Sequence, residues 1–138
     1  MTIKTTAHLN FRGEAKAALE FYHSVFGCEI MLLSYRDAHA VQAPEEADQI
    51  MWGQVESADG FRVMAYDVPS RMDHDAGTIP MFMSVRGDAE DAVIGYWEKL
   101  CLGGTVIQPI GPAGWSPLYG MVRDKFGVTW VMDLAVAR

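Results

Sequence analysis

The sequence predicts an α+β fold made of two consecutive βαβββ units, and three observations carry that prediction. Leu9-Asn10-Phe11-Arg12-Gly13-Glu14-Ala15 is matched by Met83-Ser84-Val85-Arg86-Gly87-Asp88-Ala89, and the register runs on through Leu19/Val93, Tyr22/Tyr96 and Phe26/Leu100. A second pair, Trp52-Gly53-Gln54-Val55 and Tyr119-Gly120-Met121-Val122, continues into Gly60-Phe61-Arg62-Val63-Met64 and Gly127-Val128-Thr129-Trp130-Val131. Within each copy the apolar pattern changes from strand-like alternation to a helical period and back.

Each element follows from its residues. The Arg-Gly-acid-Ala step after the first strand suits a tight turn, because glycine accepts angles closed to other residues and an acid meets the unpaired N–H groups of a helix start. The helix behind it has an apolar stripe of Ala15, Ala18, Leu19, Tyr22, Val25 and Phe26 in the first copy. The second copy offers Ala89, Ala92, Val93, Tyr96, Trp97 and Leu100. Gly27 and Gly103 are placed to stop the two helices. A further strand is expected over Cys28 to Arg36 and over Thr105 to Ile110, followed in each half by a hairpin turning at Ala58-Asp59-Gly60 or Asp124-Lys125-Phe126-Gly127. Asp37 to Gln49 and Val68 to Thr78 do not repeat and are expected as loop and connector. Gly111 to Pro117, rich in glycine and proline around Trp115, is expected as a loop bordering a site. The whole chain, 1–138, then forms a single domain, with one module over about 1–68 and the other over about 79–138.

Composition bounds the function. Half the residues, 50%, are hydrophobic, enough for a proper core, and the net charge of −7 without a basic block argues against nucleic-acid partners. No apolar stretch reaches the roughly 18 residues of a membrane span and no signal-peptide core opens the chain, so a soluble cytoplasmic protein is expected. Cys28 and Cys101 are too few for a disulfide scaffold or a zinc site and are expected as reduced, partly buried thiols.

The wording of the repeat resembles the PhnB-like (3-demethylubiquinone-9 3-methyltransferase-like) branch of the glyoxalase/bleomycin resistance/dioxygenase, or vicinal oxygen chelate, superfamily. His8-Leu9-Asn10-Phe11, Ala15 through Phe21-Tyr22 and Val25-Phe26-Gly27 resemble that family's first strand and helix. Trp115 and Tyr119-Gly120-Met121-Val122-Arg123-Asp124-Lys125-Phe126-Gly127-Val128-Thr129-Trp130 resemble its closing pattern, with Lys125 standing where proline is usual. The resemblance implies eight strands curled into an open cup around a shared cavity, commonly completed in a homodimer. It also implies, in active members, a divalent metal held on the first and last strands of the units, serving lyases, dioxygenases or thiol transferases.

Carried over residue by residue, that ligand set is incomplete. His8 fills the first position, but its counterpart is Phe82 or the neighbouring Pro80 or Met81, and the last-strand positions fall near Met64 and Val131. One imidazole does not retain a divalent ion. No resident cofactor is therefore expected; should a metal bind, His8 and Glu56 are its candidate ligands, with Asp67 and Asp133 as other acids within the pattern. No nucleophile elbow, phosphate loop or His-Glu-x-x-His helix is present. The expected site is a pocket for a small organic ligand, lined or capped by Trp52, Phe82, Trp115, Tyr119, Trp130 and Phe11, with His8, Asp67 and Arg123 as polar contacts. The alternative reading is a divalent-metal-dependent lyase or dioxygenase-type enzyme of the same superfamily; methyl transfer is a third, resting only on the family's label.

Overall fold

Two βαβββ units appear in chain order in the computed structural model, which describes residues 3–79 and 81–136. The chain divides into compact units Met1–Ala76 and Gly77–Arg138.

In the first unit, β1 (Ala7–Phe11) leads into α1 (Ala15–Phe26), then β2 (Glu29–Ser34), β3 (Ile50–Glu56) and β4 (Arg62–Asp67). The sheet order is β1-β4-β3-β2, with β1 parallel to β4 and the other neighbours antiparallel. All six residues of the expected stripe on α1 are buried, together with Phe21, and Gly27 ends the helix in the left-handed region. The acid expected to meet the helix N-terminus is not Glu14, whose side chain makes no capping hydrogen bond. Asp67 does that work instead: its Oδ1 accepts from Gly13 N (2.7 Å) and Ala15 N (3.0 Å), and its Oδ2 from Ile50 N (2.9 Å). The end of β4 thus fixes both the start of α1 and the start of β3.

The second unit repeats this order: β5 (Met83–Gly87), α2 (Glu90–Leu100), β6 (Thr105–Ala113), β7 (Ser116–Arg123) and β8 (Thr129–Leu134), with sheet order β5-β8-β7-β6. Two expectations need correcting. The apolar stripe of α2 is narrower than the sequence suggests: Val93, Trp97 and Leu100 are buried, but Ala89 and Ala92 are exposed and Tyr96 is half-buried. The stretch Gly111 to Pro117 is not a loop, since β6 and β7 run through it and only Gly114 and Trp115 turn. Its prolines are tolerated because β6 is an edge strand whose register shifts repeatedly, and Pro117 lies before β7 pairs with β8.

The glycine shared by Trp52-Gly53 and Tyr119-Gly120 has a packing cause. A Cβ on Gly53 would lie 2.4 Å from Leu19 Cδ1 of α1, and one on Gly120 would lie 2.8 Å from the Trp97 ring of α2. In both units the helix rests directly on sheet backbone. Strand alternation then assigns faces. Leu9, Phe11, Val63, Ala65 and Val55 lie on the α1 side, and Val85, Val122, Trp130 and Met132 on the α2 side. Among the described residues no helix is long and apolar enough to cross a membrane.

Candidate functional site

Each sheet has a second face that its own helix does not cover, and those faces hold most of the side chains with chemistry to offer. In the first unit the cross-strand row His8, Met64, Gln54 and Met31 lies on this face, with Trp52 and Tyr66 beside it. His8 is exposed; its Nδ1–H donates to Asn10 Oδ1 (3.2 Å), and its ring meets Tyr66 edge-on with centroids 5.0 Å apart. In the second unit the corresponding face carries Ser84, Val131 and Met121 in one row, and Arg86, Asp133 and Tyr119 in the next. Phe82 precedes β5 and is 45% exposed, Arg123 ends β7 exposed, and Trp115 stands at the hairpin tip with its ring edge-on to Tyr119 at 5.1 Å.

The expected site residues therefore fall into two groups. His8, Trp52, Tyr119 and Arg123 lie on uncovered faces, Trp115 at a hairpin tip and Phe82 just before β5. Asp67, Trp130 and Phe11 lie on the helix sides, buried. Asp67 is 1% exposed and both its oxygens serve backbone N–H groups. Trp130 is fully buried, its indole N–H donating to Asp124 Oδ2 (2.9 Å), while Asp124 Oδ1 accepts from Phe126 N (2.8 Å) and Val128 N (3.0 Å). Asp124 holds the final hairpin turn and the core tryptophan together, as Asp67 holds the first helix. Pro80, considered as a counterpart of His8, lies outside the described residues.

Sequence reasoning passed over the strongest ion pair near these residues. Arg86 donates from Nε to Asp133 Oδ1 (2.9 Å) and from Nη2 to Asp133 Oδ2 (3.0 Å), a two-pronged pair on a carboxylate whose side chain is 11% exposed. The pair raises the Arg86 pKa, chiefly through that hydrogen bonding, and the cation persists at any working pH. The signal was Arg86 itself, the counterpart of Arg12 in the repeat. Arg12 spends its guanidinium on the carbonyls of Val68, Pro69 and Met72 and ties down the connector.

The metal set of active superfamily members does not fit these residues. The strand neighbours of His8 on its face are Met64, Gln54 and Met31. Glu56 is engaged by Gln54 Nε2 (3.3 Å) and Arg62 Nη1 (3.9 Å), and Asp133 by Arg86. Among the described residues no three His, Cys, Asp or Glu side chains gather closely enough to hold an ion. Both cysteines are free, and burial pushes each thiol pKa up, which leaves them poor nucleophiles. A hollow of about 20 Å³ in the first unit, bordered by Tyr35, Val41, Glu46 and Arg71, has room for little more than a water molecule.

Comparison with known proteins agrees with this architecture. Residues 6–132 match the family model described as Glyoxalase/Bleomycin resistance protein/Dioxygenase superfamily. Protein PA1353 from Pseudomonas aeruginosa is similar in structure with a TM-score of 0.87 at 26% identity, over 96% of this chain and 98% of that one. The PhnB protein from Bacillus cereus, provisionally assigned as a 3-demethylubiquinone-9 3-methyltransferase, aligns with a TM-score of 0.77 at 27% identity, over 96% and 100%. Hypothetical protein SA1046 from S. aureus shares the fold, with a TM-score of 0.66 at 13% identity over 98% and 95%. No curated protein matches the chain.

Proposed function

The chain belongs to the Glyoxalase/Bleomycin resistance protein/Dioxygenase superfamily, and from that premise we propose that it binds a small organic molecule on its aromatic-bearing sheet faces, without the divalent metal of the superfamily's active members. One observation carries the reading. His8 stands where the resemblance would put the first metal ligand, yet its neighbours across the strands are Met64, Gln54 and Met31. A lone imidazole beside thioethers and an amide is a poor cage for a hard cation, whereas aromatic rings with a few polar groups suit organic ligands. The proposal takes the protein as a cytoplasmic homodimer; a monomeric mass by light scattering would overturn that part alone.

Two measurements on protein purified without chelator test the rest. A thermal-shift screen of small organic molecules is expected to give hits, because a ligand that binds only the native state raises the melting temperature. Metal analysis is expected to find well under one ion per chain. Near-stoichiometric metal that disappears in His8→Ala would replace this reading with the metal-dependent lyase or dioxygenase alternative. S-adenosylmethionine belongs in the same screen, since its binding would favour the methyl transfer named for the Bacillus cereus protein.

A further inference from the structure

We propose that the uncovered face of the second unit carries an anion subsite built on Arg86, fitted to a carboxylate attached to an aromatic ring; this deepens the small-molecule reading above and rests on it. The register pairs Arg86 with Asp133 and Asp133 with Tyr119, so the three side chains stand in one row across β5, β8 and β7, on the face away from α2. Asp133 accepts the Nε hydrogen and one of the two Nη2 hydrogens and fixes the plane of the guanidinium. Its carboxylate is 11% exposed and the Arg86 side chain 63% exposed, so the acid anchors from below while the outer edge of the fork meets solvent.

That outer edge is what a ligand carboxylate needs. Among the described residues Arg86 Nη1 has no acceptor. The Tyr119 hydroxyl and the Trp115 indole N–H have no partner there either. An ordinary surface arginine must surrender its rotamer freedom before it binds an oxyanion in two-pronged fashion; this one is already held. Arg86 and Tyr119 lie two strand spacings apart, about 10 Å between backbones. A ring resting against the Trp115–Tyr119 pair with its acid group directed along this row would bring the acid past Asp133 to the free side of the fork. Arg12, at the matching place in the first unit, has its donors turned to backbone carbonyls, so the repeat offers this arrangement once. With a net charge of −7 the protein exerts no general pull on anions, and recognition has to be local.

Calorimetry with benzoate as the probe tests the subsite, against benzamide, which keeps the shape without the charge, and cyclohexanecarboxylate, which keeps the charge without the ring. Benzoate is expected to bind about tenfold tighter than either. The double change Arg86→Met with Asp133→Leu removes both charges at similar volume and is expected to weaken benzoate about tenfold while leaving benzamide unaffected. Should that variant fold poorly, Trp115→Ala alters only an exposed tip and is expected to weaken benzoate several-fold. Benzoate binding no tighter than benzamide, or binding unaltered in the variants, overturns the subsite. If other molecules still score in the thermal-shift screen, the broader reading survives that result; if none does, both fall together.

Discussion

At the scale of single residues, this protein places carboxylates where backbone or cation must be satisfied. Asp67, Asp124 and Asp133 are all buried, and each accepts at least two hydrogen bonds. Asp67 serves three N–H groups from two separate segments, so Asp67→Ala strands the buried N–H groups of Ala15 and Ile50 and leaves that of the exposed Gly13 to solvent. The expected cost is about 3 kcal/mol or more, read as a lowered urea midpoint, with Asp67→Asn losing less because one oxygen remains. An unchanged midpoint in the alanine variant would refute the capping role. The sequence could not announce this role, because the partners Gly13 and Ala15 lie 54 and 52 positions away, and an acid closing a strand looks equally ready for a ligand. Trp130 escaped for a related reason. β8 reads Thr-Trp-Val-Met-Asp-Leu, with Thr129, Trp130, Met132 and Asp133 all buried, so alternation no longer says which face the ring takes.

Between the single residue and the whole chain stand the elements, where the repeat made most of the architecture readable: two helices, eight strands and their order came from matching one half against the other. What failed was local composition. Gly111 to Pro117 looked like a loop because proline cannot donate to a sheet, yet at an edge strand one missing donor costs little. Helix-to-sheet contact accounts for the matched glycines and fixes the sign of two substitutions, while its absence at a third glycine leaves the sign to helix propensity. Gly53→Ala and Gly120→Ala push a methyl into Leu19 and Trp97 respectively, and each is expected to destabilise by about 1–3 kcal/mol. Gly95, inside α2, faces open space where an alanine methyl would stand, so Gly95→Ala is expected to stabilise by roughly 0.5–1 kcal/mol through helix propensity. Chemical denaturation of the three variants checks this, and a shared sign among them would contradict the packing account.

For the whole molecule, the groups whose titration is perturbed sit in both units and act in the same direction. Cys28 and Cys101 are raised above the ordinary 9.0 by burial, opposed at Cys28 by a backbone hydrogen bond. Tyr35 is raised above 10.0, first by burial and then by the neighbouring Tyr66, Asp67 and Glu46 charges, with Arg71 opposing; its hydroxyl donates to the Asp67 carbonyl at 2.7 Å. A native state that keeps these protons longer than the unfolded chain binds more protons in that interval, so stability declines as pH climbs through it. The stabilising contribution is complete below the ordinary values and disappears as the folded values are passed. Urea midpoints are therefore expected to hold steady from neutrality to about pH 8.5 and then fall, first with the thiols and then with Tyr35. Replacing both cysteines, Cys28→Ala with Cys101→Ser, should remove the earlier part of the decline and leave the later part, while Tyr35→Phe should do the reverse. A midpoint that stayed level to about pH 10.5 in the unaltered protein would show that these groups do not hold their protons as their burial requires.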